Sequence, residues 1–317
     1  MAKSKGSTKA AKIAHEAAKT LERVEVLQRR AVEAVAPAAP TRLAEQLRAR
    51  PGIHLDEVDP RSTPGFTGTK EEGVAALAVG AERLSELQER LFAASKGGDD
   101  PRSVLLVVQG MDTAGKGGIM RHVVGSVDPQ GVDITSFRAP TEEERKHDFL
   151  WRIRNALPAA GMIGVFDRSH YEDVLIARVH EIVPADQIEQ RYDQINAFER
   201  EVADAGTTMV KVMLHVSAAE QKERLAERLE RPDKHWKYNP HDVDERLRWH
   251  DYQQAYEIAL ERCSTDADPW FVVPADRKWY ARWAVQQLLL DALSELDPQW
   301  PAADYDIEAE KVRLATA

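Results

Sequence analysis

Seven consecutive apolar or small residues, Ser103 to Gln109 (SVLLVVQ), run directly into the loop Gly110-Met-Asp112-Thr113-Ala114-Gly115-Lys116-Gly117-Gly118. A short unbroken apolar run is the pattern of a strand buried on both faces of a parallel sheet. The loop that follows keeps bulky Cβ atoms to a minimum, so successive backbone N–H groups can converge on phosphate oxygens. The helix expected from Ile119 adds the partial positive charge of its N-terminus. Lys116 supplies a point charge to the outer phosphates. Strand, glycine-rich loop and helix in that order restrict the chain to an α/β fold that holds a phosphate at one sheet edge.

The remaining pattern agrees. Leu77, Leu84, Leu87 and Leu91 recur at helical spacing, and Gly97-Gly98 ends that helix. Further strands are expected at Ile134–Phe137, Met162–Phe166, Met209–Val216 and Trp270–Val273, with helical segments between them. Such alternation implies a parallel sheet flanked by helices on both faces. Thr141-x-x-Glu144, Ser169-x-x-Glu172 and Ser217-x-x-Glu220 fit the capping box that opens a helix. Ahead of this domain, residues 1–50 carry 11 Lys plus Arg against 5 Glu and read as a basic arm, helical over Ala11 to Val35. The Pro- and Gly-rich residues 51–69 read as an extended linker, and 70–317 as the phosphate-handling domain.

Composition narrows the partners. A formal charge of -10 over 317 residues argues against a nucleic-acid binder, while local basic clusters still allow an anionic substrate. The lone cysteine, Cys263, gives neither a disulfide nor a zinc framework. No apolar run approaches a membrane span, and Met1 to Thr20 lacks the apolar core of a secretory signal, so the expectation is a cytoplasmic protein.

The position after Lys116, where a hydroxyl would normally face Mg²⁺, is Gly117. Asp112 is a candidate replacement, being a hard oxygen donor; a turn-stabilising Asx role is the alternative. Gly161 to Phe166 ends in Asp167, the form of a strand that carries a second metal-facing carboxylate to the same edge. Arg168 follows and can neutralise charge on a transferring phosphoryl group. In Ser169 to Arg178 (SHYEDVLIAR), Glu172 suits a cap at least as well as catalysis, Asp173 is the better ligand contact, and His170 reads as a helix-start residue rather than a zinc ligand. The stretch 217–256 reads as a candidate lid. Arg224, Arg228 and Arg231 share one helical face, and the following loop adds Lys234 and Lys237. A solvated helix laced with Glu–Arg pairs explains the helix equally well, though not the loop.

The ordered motifs GMDTAGKGG, FRAPTEEE, HDFLWR, FDRSHYEDVL, RYDQINAFE and WKYNPHD, with Pro269 to Trp279, resemble the type-2 polyphosphate kinase family from about residue 55 to about 295. The resemblance implies a P-loop kinase fold related to thymidylate kinase, with a helical lid. It implies Mg²⁺-dependent transfer of a terminal phosphoryl between inorganic polyphosphate and a nucleotide. Adenine is the expected base, with guanine as the alternative, and the SHYEDVL form is similar to the subgroup that accepts both AMP and ADP. By the same resemblance Asp112 and Asp167 serve the metal and acceptor, and Lys116 and Arg168 the phosphates. The loop residues Gly110, Thr113, Ala114, Gly115, Gly117 and Gly118, with Asp173 and Arg178, bind phosphate or nucleotide. Arg228, Lys234 and Lys237 contact the chain from the lid, in a homo-oligomer. The competing readings are an ATP-dependent kinase on the same fold and a non-catalytic nucleotide-binding protein.

Overall fold

A computed structural model describes residues 41–97 and 100–317; the expected helix over Ala11 to Val35 and most of the basic arm lie outside the described residues. Five strands form one sheet: β1 (Ser103–Gln109), β2 (Val132–Ser136), β3 (Ile163–Asp167), β4 (Thr207–His215) and β5 (Trp270–Pro274). Their order is β2-β3-β1-β4-β5, and every neighbouring pair is parallel. All five expected strands are present, with ends shifted by one or two residues. β1 is buried along its whole length because it is the central strand and both its faces are covered. Val104, Leu106 and Val108 point into one core with α2 (Lys70–Lys96) and α10 (Lys278–Leu296). Leu105 and Val107 point into the other, with α6 (Ala185–Asp204) and α9 (Trp249–Cys263). This is a P-loop kinase fold. From β1 the chain runs out past β3 to the edge strand β2, returns to β3, and then crosses to β4 and β5 on the other side of β1; this reversal opens a crevice at the carboxyl ends of the strands.

The Pro- and Gly-rich stretch expected as a linker is a strap bound to the domain. It follows α1 (Thr41–Leu47), whose Leu47 is buried. Ala49 N–H donates to Trp270 O at 2.8 Å, and Arg48 bridges Phe271 antiparallel at the sheet edge. Leu55 is fully buried, and Phe66 wedges edge-on against Trp279 and Trp283 at 5.3 and 4.9 Å. Two large apolar side chains within a proline-rich run are what tie it down; burying them offsets the cost of ordering the segment.

The expected capping boxes divide. Thr141 and Glu144 form a complete reciprocal pair, yet it opens only the single 3-10 turn Glu144–Lys146. Ser217 caps α7 (Ala218–Glu230), while the Glu220 side chain turns to Arg224 instead of returning to the cap. Ser169 caps Tyr171 N–H, and Glu172 is freed for another role. The span 217–256 also divides. α7, the 3-10 segment Pro232–Lys237 and α8 (His241–Leu247) lie over the crevice. From Trp249 the chain is core helix, with Ala255, Tyr256, Ala259 and Leu260 buried.

Candidate active site

The turn after β1 is held by backbone strain and by one buried arginine. Gly110 (φ 154°) and Gly115 (φ 122°) adopt conformations that L side chains rarely take. A Cβ on Gly110 would also meet Leu214 O at 2.9 Å, so the loop starts pressed against β4. Thr113 (φ 63°) and Arg168 (φ 65°) are left-handed without being glycine, and both sit at this edge, where strained backbone marks a functional constraint. Gly117 differs: a Cβ there meets nothing within 4 Å, so the missing hydroxyl is not enforced by space.

Arg224, expected among the lid cations, is 5% exposed and serves the loop from beneath. Its Nη1 donates to Thr113 O (2.9 Å) and Ala114 O (3.0 Å), and its Nη2 to Ala275 O (2.7 Å) and Asp276 O (3.0 Å). Four carbonyls on two segments are thus pinned by one guanidinium, a geometry a lysine cannot reproduce. Spacing placed Arg224, Arg228 and Arg231 on one helical face, but this face meets the loop at one end and solvent at the other.

Two cavities open on this edge and share Asp112. The larger, about 470 Å³, is lined by Asp112 to Ile119, by Asp167, and by cations that include Lys116, Arg228, Lys234 and Lys237. Lys278 and Arg282 from α10 and Arg121 from α3 (Lys116–His122) extend the basic wall; Lys278 falls within the Pro269–Trp279 motif, whereas no quoted motif contains Arg121 or Arg282. The smaller, about 220 Å³, is lined by Gly110, Met111, Arg168, Glu172, Tyr252 and Tyr256, among others. The apolar Leu175 and Ile176 and the polar Asn239 and Asp242 complete a pocket of mixed character.

Between the two lies a charge cluster. Arg168 Nη2 donates to Asp112 Oδ1 at 3.1 Å. Burial works against the charge on Arg168, but Glu172, Asp112 and Asp167 outweigh it and hold the guanidinium above its ordinary value. Burial also pushes the Glu172 carboxyl upward, against the pull of Arg168 and Lys116. Gln109, with its amide turned to donate to Glu172 Oε1 (3.0 Å) and accept from Ser169, fixes that carboxylate in the pocket. Lys116 Nζ folds back to Gly110 O at 2.6 Å and Met111 O at 3.4 Å. Burial holds its pKa below the usual lysine value, with Asp112 acting in the opposite sense. Asp167 approaches Ser136 Oγ through Oδ2 at 3.4 Å, while its buried Oδ1 has no partner among the described residues. An unpartnered carboxylate oxygen beside the Asp112 carboxylate is a donor set that fits a hard divalent cation.

Not every expected residue converges here. Asp173 lies next to Glu172 in sequence but lines neither cavity; it is held by Arg191 (3.4 Å) and Arg152 (3.6 Å). Arg178 pairs with Glu189 and donates to Tyr192 Oη at 3.2 Å, also away from both cavities. Arg178→Ala should therefore change KM for either substrate by less than about twofold and stability by under about 1 kcal/mol, the scale of a partly exposed pair. A tenfold rise in KM in steady-state assays would place Arg178 in the site after all. Below the pocket, His170 Nε2 lies 3.2 Å from Glu199 Oε1, a buried structural contact rather than a metal site.

A strand–loop–helix phosphate cradle, two adjoining cavities and paired carboxylates define the class: a phosphotransferase of the P-loop kinase fold. The model of the family described as polyphosphate kinase 2 matches residues 68–301, and the chain belongs to that family. It is 44% identical over 249 residues to the AMP/ADP-polyphosphate phosphotransferase of Meiothermus ruber, covering 78% of this chain and 91% of that one. To the ADP-polyphosphate phosphotransferase of Rhodopseudomonas palustris it is 40% identical, covering 81% and 92%. The crystal structure of polyphosphate kinase 2 from Arthrobacter aurescens TC1 superposes with a TM-score of 0.85 at 57% identity, over 88% of this chain and 98% of that one. No helix among the described residues is long and apolar enough to cross a membrane.

Proposed function

We propose that the chain transfers a terminal phosphoryl group between inorganic polyphosphate and an adenine nucleotide, accepting both AMP and ADP. The observation that carries this reading is the pair of cavities that meet at Asp112. The larger has the cationic wall and open length suited to a phosphate chain. The smaller offers Tyr252, Tyr256, Leu175 and Ile176 to a nucleoside, and Arg168 at its inner end to the nucleoside's phosphate. An acceptor phosphate oxygen placed at the seam would attack the terminal phosphorus of the chain in line. The bond from that phosphorus to the next bridging oxygen would break, leaving the shortened chain among Lys116 and the loop N–H groups. Catalysis of this kind rests on positioning and charge neutralisation.

Asp112 and Asp167 are the residues that would hold the divalent metal, for which we propose Mg²⁺; bound there, it would neutralise charge on the reacting phosphates. Arg168 lines the smaller cavity and orients Asp112, the residue that both cavities share. Glu172, fixed by Gln109, is placed to orient the nucleotide side. The preference for AMP as well as ADP rests on the SHYEDVL sequence and on the name of the Meiothermus relative. We further propose a cytoplasmic homo-oligomer, which a solution mass measurement checks.

Product analysis with Mg²⁺ and long-chain polyphosphate, with AMP and ADP supplied separately, tests the reading. ADP formed from AMP and ATP formed from ADP are expected. Product from one acceptor alone would remove the dual specificity, and turnover with ATP as the only competent donor would replace the reading with an ordinary kinase.

A further inference from the structure

Three carboxylates line the larger cavity: Asp112 and Asp167 at the phosphate loop, and Glu227 in the last turn of α7. Glu227 has no part in the chemistry proposed above, yet it lies among the cations. Its Oε1 accepts from Lys234 Nζ at 2.6 Å and from Arg231 Nη1 at 3.0 Å, and its Oε2 is 3.8 Å from Lys278 Nζ. Lys234 and Lys278 both line the cavity. They come from different elements, the 3-10 segment after α7 and the start of α10, so a single carboxylate links the lid to the body of the domain. One carboxylate held by three cations has the charge and donor arrangement of one phosphate unit.

Arg228, another lid cation of this cavity, is neutralised differently. Arg228 Nη1 donates to Asp242 Oδ2 at 3.0 Å, and Asp242 belongs to the smaller cavity. Glu227 alone among the lid acids sets its charge within the larger cavity, where a polyanion entering must compete with it. Its pairs are partly exposed and therefore individually weak, which suits an exchange of partners.

We propose that Glu227 is an internal counter-anion that takes the place of one phosphate between the cavity-lining Lys234 and Lys278. It lowers the affinity for polyphosphate and lets the chain move on or leave after each transfer. This rests on the larger cavity being the polyphosphate site. A chain bound by every cation at once would dissociate slowly; a resident carboxylate that returns to the cations assists its departure. Glu227 is thus a positioning residue and touches no reacting atom.

The test is calorimetric titration of wild type and E227Q with inorganic tripolyphosphate, together with steady-state kinetics on long-chain polyphosphate. In E227Q the Kd for tripolyphosphate should fall about three- to fivefold, the scale of one or two released surface pairs. KM for polyphosphate should fall with it, while kcat falls rather than rises because departure slows. E227D should keep the wild-type values. An unchanged or raised Kd in E227Q would overturn the inference, because a merely structural Glu227 leaves Lys234 unanchored and weakens binding. Should E227Q melt earlier than wild type, E227A read at a temperature where both are folded gives the same comparison. Wild type that neither binds tripolyphosphate nor turns over polyphosphate would instead overturn the functional reading beneath it.

Discussion

Lys116→Ala should lower kcat for phosphoryl transfer by about 10²- to 10³-fold, the usual loss when one preorganised donor is removed from developing charge. The fold should survive. Among the described residues Lys116 Nζ donates only to Gly110 O and Met111 O of its own loop, and the residue is half-buried at the mouth of a large cavity, where water can replace it. The loop conformation itself is fixed elsewhere, by Gly110, Gly115 and the four-carbonyl clasp of Arg224. Circular dichroism and melting temperature should therefore stay near wild type while single-turnover transfer collapses. Residual turnover above a tenth of wild type would sink the assignment.

The same lysine sets an alkaline limit. Burial depresses its pKa, so the ammonium is lost as pH rises through a value below the ordinary 10.5. The high-pH limb of kcat/KM should accordingly fall before that of an exposed lysine, and it should be absent from the residual activity of Lys116→Ala.

Why some of this was legible in the sequence and some was not has a physical basis. β1 and the phosphate loop announce themselves because both signals are local: an unbroken apolar run, then glycines where backbone must approach a ligand. The strand ending in Asp167 was legible for the same reason, since a carboxylate at the end of an apolar run has one place to go in a parallel sheet. The sequence pattern favoured Asp173 over Glu172 as the ligand contact, and the structure places Glu172 in the cavity instead. They are adjacent on a 3-10 turn, and a rotation of roughly 120° per residue sends one into the pocket and the other towards Arg152 and Arg191. Helical spacing put Arg224 on a face and allowed its pair with Glu220, but spacing does not say what a face meets along its length, so the clasp on the loop was not legible. The strap was misread because proline and glycine reported its extended backbone faithfully, while Leu55 and Phe66 decided that it packs. The smaller cavity draws on residues from Gly110 to Tyr256, and only tertiary structure brings such distant positions together.

The second large effect concerns stability. Lys211 of β4 and Glu199 of α6 are fully buried, with Nζ donating to Glu199 Oε2 at 2.5 Å, Cys263 O at 2.8 Å and Tyr171 Oη at 3.3 Å. Burial alone would push the Glu199 carboxyl up, but Lys211 and His170 outweigh it and hold it below its ordinary 4.5. Its contribution to wild-type stability is therefore complete above that value and is lost only as pH falls below it. Lys211→Met fills a similar volume yet strands the carboxylate, and removing one partner of a buried pair costs about 3–5 kcal/mol. In that variant desolvation raises the Glu199 pKa, so the deficit should be largest at neutral pH and narrow as pH falls and the carboxyl takes up a proton. Adding Glu199→Gln should recover much of the loss, because an uncompensated charge is the main source of the cost. Denaturant unfolding of the two single variants and the double variant measures this directly. The consequence reaches the active site through Tyr171, whose hydroxyl donates to Glu199 Oε1 at 2.8 Å and whose backbone adjoins Glu172. Below its own melting transition, Lys211→Met should lose kcat as well as stability, since the turn that aims Glu172 into the smaller cavity has lost its anchor. Destabilisation by less than about 1 kcal/mol would show that the buried cluster does not hold the domain; full kcat in a destabilised variant would show that it does not aim the site.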